Sequence, residues 1–199
     1  MTSASRRLTA IFAPGLAGLM PISALAHPEG HGAENAVAGF LHPFTGLDHL
    51  LAMIAVGLWA AQLGARATRT LPIVFPFAMV LGALLAFNGT HLPAIEPMIA
   101  ASVVVLGVLV AAGIRMPVVA SALIVATFAI FHGHAHAAEG PSSDVFSYAA
   151  GFVLATLFLH VIGVIVGSAV ARSGLPYSRV VTGAAGTTIA LAGTAILIV

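Results

Sequence analysis

About six long apolar segments follow one another along this chain, and no other feature constrains its fold as strongly. A helix needs about 20 predominantly apolar residues to cross the ~30 Å hydrocarbon core of a bilayer. The segments lie near 42–64, 71–88, 94–113, 117–136, 145–171 and 178–199. The sequence therefore predicts an all-α, polytopic membrane bundle of about six transmembrane helices.

The composition supports a membrane protein and narrows the class of its ligands. Hydrophobic residues make up 60% of the 199 residues and charged residues only 7%, whereas soluble domains carry about 25% charged residues. The formal charge of +1 gives no reason to expect a nucleic-acid partner. The chain has no cysteine, which excludes thiolate metal sites and disulfides. Residues 27–199 are predicted to form one transmembrane domain surrounded by lipid.

The first 26 residues have the pattern of a secretory signal peptide. Arg6 and Arg7 form a positive end, an apolar stretch follows, and Ala24-Leu25-Ala26 fits a small-x-small cleavage motif. The alternative is a first membrane span, but the stretch contains two prolines and two glycines, which make it a poor helix. We therefore expect a leader over residues 1–26 that is cleaved.

The arginines predict the orientation in the membrane. With six spans, one side carries the connections that contain Arg66, Arg69, Arg115, Arg172 and Arg179, and the positive-inside rule makes that side cytoplasmic. The opposite side then receives the mature N-terminus and most histidines and acidic residues. The expected location is a bacterial inner membrane with the mature N-terminus in the periplasm.

A first polar cluster, HPFTGLDHLLA, begins the first segment. His42 and His49 are seven residues apart, so they share nearly one helix face about 10.5 Å apart along the axis. Asp48 projects about 100° away from His49. One straight helix cannot bring all three to one ion. Either His42 lies in an unwound mouth helped by Pro43 and Gly46, or the three are successive stations on a path.

A second cluster, FHGHAHAAE, ends the fourth segment. His132 and His136 are four residues apart and stack on one helix face, which is metal-ligand spacing. Glu139 can join that face if the helix lasts to it, whereas His134 faces away by about 160–200°. His134 is expected to be a loop residue or a ligand at the mouth. The competing interpretation of the whole run is a solvated loop with no fixed ligand.

Three further residues are candidates with weaker support. Glu96 opens the third segment at the same outer level, where a carboxylate serves either as a helix-dipole partner or as a ligand. His160 lies about 22 Å into the fifth segment, and its alternatives are a buried histidine satisfied by a neighbouring helix and a role along an exit path. His27 could chelate a metal together with the new amine if cleavage follows Ala26.

Both clusters resemble the HupE/UreJ family, the nickel permeases of hydrogenase and urease gene sets. The first motif is a His followed six residues later by Asp-His, here His42, Asp48 and His49. The second is Phe-His-Gly followed by Ala-His and a Glu; here it comprises Phe131, His132, Gly133, Ala135, His136 and Glu139. Glu96, Phe75 and the Leu159-His160 pair resemble family positions more weakly.

The resemblance implies nickel uptake, which the ligand types alone do not, because imidazole and carboxylate serve Co²⁺ and Zn²⁺ as well. The leading hypothesis is a secondary permease, not an enzyme, that imports Ni²⁺ and holds no permanent cofactor. Two alternatives are an intramembrane zinc hydrolase, with Asp48 or Glu139 as general base, and a metal-binding accessory protein that does not transport. The sequence leaves open whether the chain forms a homo-oligomer.

Overall fold

The computed structural model describes residues 36–139, 145–174 and 176–198, and all regular structure within them is helical. The elements are α1 (Ala36–Thr45), α2 (Leu47–Leu63), α3 (Ala67–Phe87), α4 (Ile95–Ala111), α5 (Val118–Glu139), α6 (Val145–Arg172) and α7 (Ser178–Leu197). The predicted all-α class is confirmed. The predicted leader and His27 lie outside the described residues.

Length and composition make four of these helices able to cross a membrane, namely α3, α5, α6 and α7. The pair α1 and α2 passes the same criteria as one bent unit, which raises the number to five. Helix α4 is apolar but has only 17 residues, fewer than the ~20 that span a typical bilayer. The count of six spans therefore stays a prediction that depends on α4.

The first predicted segment is not one straight helix. Helices α1 and α2 meet at 86° across Gly46, which has extended backbone angles of φ −94° and ψ 116°. Pro43 precedes the break and removes one backbone donor from α1. His42 consequently sits on a short separate helix, neither in an unwound segment nor on a straight continuation of α2.

Two other boundaries differ from the sequence prediction. Helix α3 begins at Ala67, four residues before the predicted start of the second segment at 71, and it carries Pro72 and Pro76 in its interior. Membrane helices tolerate such prolines where neighbouring helices cover the freed backbone groups. Helix α5 continues to Glu139, three residues beyond the predicted end of the fourth segment at 136, and it includes His134, which was expected in a loop.

The helices pack through close backbone approaches. The most extensive pairings join α3 to α5, α4 to α7, and α2 to α6. A Cβ on Gly163 would lie 2.9 Å from the Gly57 Cα, so α2 and α6 can approach this closely only with glycine there. Small residues at helix contacts are typical of bundles in lipid.

A large aromatic residue anchors the centre of the bundle. Trp59 of α2 is fully buried and donates its indole N–H to the Ile114 carbonyl at 2.9 Å. Gln62 donates to the Val110 carbonyl at 3.0 Å, so two bonds hold α2 against the end of α4.

The outward faces of the helices carry large exposed apolar side chains such as Phe77, Val119 and Leu191. These faces suit lipid better than water.

Arginines gather at one end of the bundle. Arg115 and Arg179, from two of the three connections predicted to share a side, line the same cavity of about 490 Å³ beside Gln62. The histidines of both motifs lie at the opposite ends of α2 and α5. The two ends therefore differ in chemistry, as the sequence predicted.

Candidate metal-binding site

The α1–α2 bend brings the two histidines of the first motif together. The ring centroids of His42 and His49 lie 6.4 Å apart in an edge-on arrangement. A straight helix would separate these positions by about 10.5 Å along its axis. His42 is half-buried and His49 is buried. The bend thus converts two distant helix positions into neighbours.

Asp48 contacts the ring of His49. Its Oδ1 lies 2.7 Å from His49 Nδ1 and also accepts the His49 backbone N–H at 2.8 Å. An ionised carboxylate has only acceptors, so His49 Nδ1 carries the hydrogen and Nε2 keeps a lone pair. This carboxylate–histidine arrangement is the one that orients imidazoles toward metal ions. Asp48, which was predicted as a ligand, here lies on the opposite side of the ring from the free lone pair.

The second motif contributes two more imidazoles from one face of α5. His136 Nε2 lies 2.6 Å from His49 Nε2, and the His132 and His49 rings meet edge to face at 4.7 Å. The His42 and His136 rings are 4.8 Å apart. We call His42, Asp48, His49, His132 and His136 the histidine cluster. The predicted face-sharing of His132 and His136 is confirmed, and the solvated-loop interpretation is wrong.

Ser102 holds His132, although no pattern in the sequence pointed to this serine. The Ser102 hydroxyl donates its only hydrogen to the Ile99 carbonyl at 2.6 Å, so at 3.0 Å it accepts one from His132 Nε2. His132 Nδ1 therefore keeps the lone pair, and that nitrogen is buried without a partner. A serine inside an apolar helix is usually satisfied by its own backbone, which is why the pattern alone did not single it out.

Aromatic side chains of α6 cover one side of the cluster. Phe152 lies 4.2 Å from the His136 ring and 5.8 Å from the His42 ring, and Tyr148 lies 5.9 Å from His42. Neither Tyr148 nor Phe152 was predicted to lie at the site. An apolar wall lowers the local dielectric and strengthens the attraction of the carboxylate for a cation.

The donor atoms do not converge on a common point. Among the residues whose side chains are described, no three His, Asp or Glu groups are arranged to hold an ion. The His49 and His136 nitrogens are 2.6 Å apart, whereas two nitrogens bound to one metal at about 2.0–2.1 Å lie roughly 3 Å apart or more. An N–H···N hydrogen bond occupies the place where an ion would sit. Small rotations of the rings would therefore have to accompany binding.

Three other predicted residues lie away from the cluster or beyond the description. Glu96 is exposed in the first turn of α4 and makes no contact with the cluster. His134 is buried in α5, not in a loop, and bonds the Thr90 carbonyl at 2.7 Å through Nε2, which fastens the α3–α4 turn. Glu139 ends α5, but its side chain lies outside the described part of the chain.

Phe75 and His160 lie deeper, below the cluster. Both are fully buried. The Phe75 ring is 5.6 Å from His132 and 5.1 Å from His160. Phe75 therefore separates the histidine cluster from His160 while touching both.

Fold and site together define an all-helical integral membrane protein with an imidazole–carboxylate cluster at one end of its bundle. The family described as HupE / UreJ protein matches residues 16–196. The chain is also 44% identical over 180 residues to Protein HupE of Rhizobium leguminosarum bv. viciae, covering 90% of this chain and 92% of that protein. The chain belongs to the HupE/UreJ family. No solved structure matches it.

Family membership decides whether the protein belongs to the enzyme class. HupE/UreJ proteins are accessory, permease-like membrane proteins and not enzymes. The zinc-hydrolase alternative is therefore set aside. The recognition of the family from the two motifs is confirmed.

Proposed function

We propose that this chain is a secondary permease that imports a divalent transition-metal ion, with Ni²⁺ as its cargo, for the maturation of nickel enzymes. The observation that carries the proposal is the histidine cluster, in which α1, α2 and α5 bring four imidazoles and one carboxylate into contact. Ionisable groups inside apolar spans are costly and mark ion pathways.

The chemistry of the cluster suits borderline metal ions. Imidazole nitrogens bind Ni²⁺, Co²⁺ and Zn²⁺, and Asp48 offsets part of the cation's charge through His49. Nickel is chosen because of the resemblance of both motifs to hydrogenase and urease accessory permeases. The ligand types by themselves leave the three metals equivalent.

The burial of the imidazoles suggests a stepwise path. His42 and His136 are half-buried, His49 is buried and His132 is completely buried. An ion would exchange its waters for nitrogens in that order. Several partial sites release an ion more readily than one closed cage, which is what conduction requires.

Radioactive nickel uptake in cells with and without the chain tests this function. We expect Asp48→Ala and His136→Ala to reduce uptake to the background of cells lacking the chain. Each variant removes one of the two side chains that contact the ring nitrogens of His49. The variants must reach the membrane in wild-type amounts. Cobalt and zinc serve as competitors to define selectivity.

His91→Ala is the matched control for these variants. His91 is exposed in the α3–α4 turn and belongs to no described contact of the cluster. Its replacement removes an imidazole from the same chain without touching the site, so uptake should stay at the wild-type level. Wild-type uptake by both Asp48→Ala and His136→Ala would refute the proposal.

A further inference from the structure

Two polar side chains of α6 are completely buried and have no hydrogen-bond partner among the described residues. They are His160, at both ring nitrogens, and Thr156, at its hydroxyl. Buried polar groups are nearly always hydrogen-bonded, so each exception needs a specific explanation. The two residues are four apart and share one face of α6.

The Thr156 hydroxyl behaves unlike other hydroxyls in these helices. Thr127 and Thr187 donate at 2.9 Å to the carbonyls of Leu123 and Gly183, one turn earlier. Thr156 makes no such bond and leaves its hydroxyl available. A hydroxyl freed from its own backbone can serve a ligand through its oxygen.

A backbone carbonyl completes the same region from α3. Pro76 has no N–H, so the Pro72 carbonyl one turn earlier receives no helical hydrogen bond. That carbonyl lies beside the His160 ring, but neither ring nitrogen forms a hydrogen bond with it. The unpartnered ring nitrogens of His160 thus lie near a carbonyl oxygen that lacks its usual helical hydrogen bond.

Ring contacts connect this region to the histidine cluster. His49 touches His132 at 4.7 Å, His132 touches Phe75 at 5.6 Å, and Phe75 touches His160 at 5.1 Å. These four rings form a continuous series that leads from the histidine cluster to the fully buried interior of the bundle. Phe75 is the apolar member that an ion would have to pass.

We propose that His160, Thr156 and the Pro72 carbonyl form an inner binding station for a divalent transition-metal ion, separated from the histidine cluster by Phe75. The proposal rests on the permease function proposed above. The His160 imidazole supplies the nitrogen ligand, and the hydroxyl and carbonyl oxygens supply weaker contacts. A weak inner site suits onward release.

Metal binding to the full chain in detergent micelles tests the station apart from transport. Co²⁺ is the probe, because its visible spectrum reports nitrogen ligation. In Asp48→Ala/His136→Ala, which removes the carboxylate and one imidazole of the outer cluster, we expect a bound Co²⁺ that disappears on addition of His160→Phe. Equal Co²⁺ binding with and without His160→Phe would mean that water alone occupies the station, and would overturn the proposal.

Nickel uptake by otherwise wild-type chains supplies the second measurement. We expect His160→Phe to reduce the rate at least about tenfold, as the loss of a metal-site group commonly does. Thr156→Val should reduce it and Thr156→Ser should not, although Val matches Thr in shape more closely. A purely structural role of Thr156 would give the reverse order, and that result would overturn the proposal.

The two proposals fail in different ways. If the wild-type chain imports no nickel, the permease function fails, while Co²⁺ binding still decides the station. If the wild-type chain imports nickel and Asp48→Ala does not, but His160→Phe imports at the wild-type rate, only the inner station is overturned.

Discussion

At the scale of single residues, hydrogen bonds decide which imidazole atoms are free to bind an ion. Asp48 fixes the hydrogen of His49 on Nδ1, and Ser102 fixes that of His132 on Nε2. The lone pairs therefore lie on His49 Nε2, which faces His136 Nε2 at 2.6 Å and would exchange that hydrogen bond for an ion, and on His132 Nδ1, which has no partner among the described residues. The sequence indicated which histidines take part, but it could not indicate which nitrogen of each one is available.

Ser102→Ala should weaken metal uptake without unfolding the chain. The change frees His132 to adopt either tautomer, and losing a partner that orients a metal-binding histidine typically costs about 10–100-fold in affinity. We expect the nickel concentration for half-maximal uptake to rise by about that factor. The measurement is the concentration dependence of initial uptake rates.

Ser121→Ala is the control for this prediction. Ser121 is equally buried in α5, but its hydroxyl bonds only the Pro117 carbonyl, at 3.3 Å. It should leave the half-maximal concentration unchanged. An unchanged concentration in Ser102→Ala as well would mean that Ser102 does not position His132 for binding.

At the scale of helices, the break at Gly46 determines the shape of the site. The sequence indicated that a straight helix could not unite His42, Asp48 and His49, and it offered Pro43 and Gly46 as the place for an irregularity. It could not supply the 86° angle, because that angle depends on the packing of α1 against α6. The same packing brings in Phe152 and Tyr148, whose sequence neighbourhood resembles any apolar span.

The α4–α7 contact allows a test of the helix packing. A Cβ on Gly186 would lie within 2.7 Å of the Ala111 Cα and the Gly107 carbonyl, whereas one on Gly183 would meet only the Ala111 carbonyl at an ordinary 3.5 Å. Gly186→Ala should therefore destabilise the bundle by about 1–3 kcal/mol, as overpacking typically does. Gly183→Ala should change stability by less than about 0.5 kcal/mol.

Thermal unfolding of the two variants in detergent distinguishes these outcomes. The residues lie one turn apart on α7, so differences in helix propensity cancel between them. A lower melting temperature for Gly186→Ala alone confirms the packing of α7 on α4. Equal melting temperatures would show that α7 does not pack on α4 in this register.

At the scale of the whole molecule, opposite chemistries mark the two ends of the bundle. The histidine cluster lies at one end, and the cavity lined by Arg115 and Arg179 lies at the other. Hydropathy was sufficient to predict the helical class, and the arginine positions were sufficient to predict this polarity, because both can be read from the sequence without knowledge of how the helices pack. The number of spans could not be predicted in the same way, since α4 is short and α1 meets α2 at a sharp bend.

Flux of nickel into sealed liposomes that contain only the purified chain tests the central claim most directly. An enclosed metal-sensitive dye reports entering Ni²⁺, and liposomes with Asp48→Ala provide the control for leakage. The account predicts that the wild-type chain admits nickel at least about tenfold faster than Asp48→Ala, because the intact cluster lowers the cost of dehydrating the ion. Equal rates in wild-type, Asp48→Ala and protein-free liposomes would contradict it.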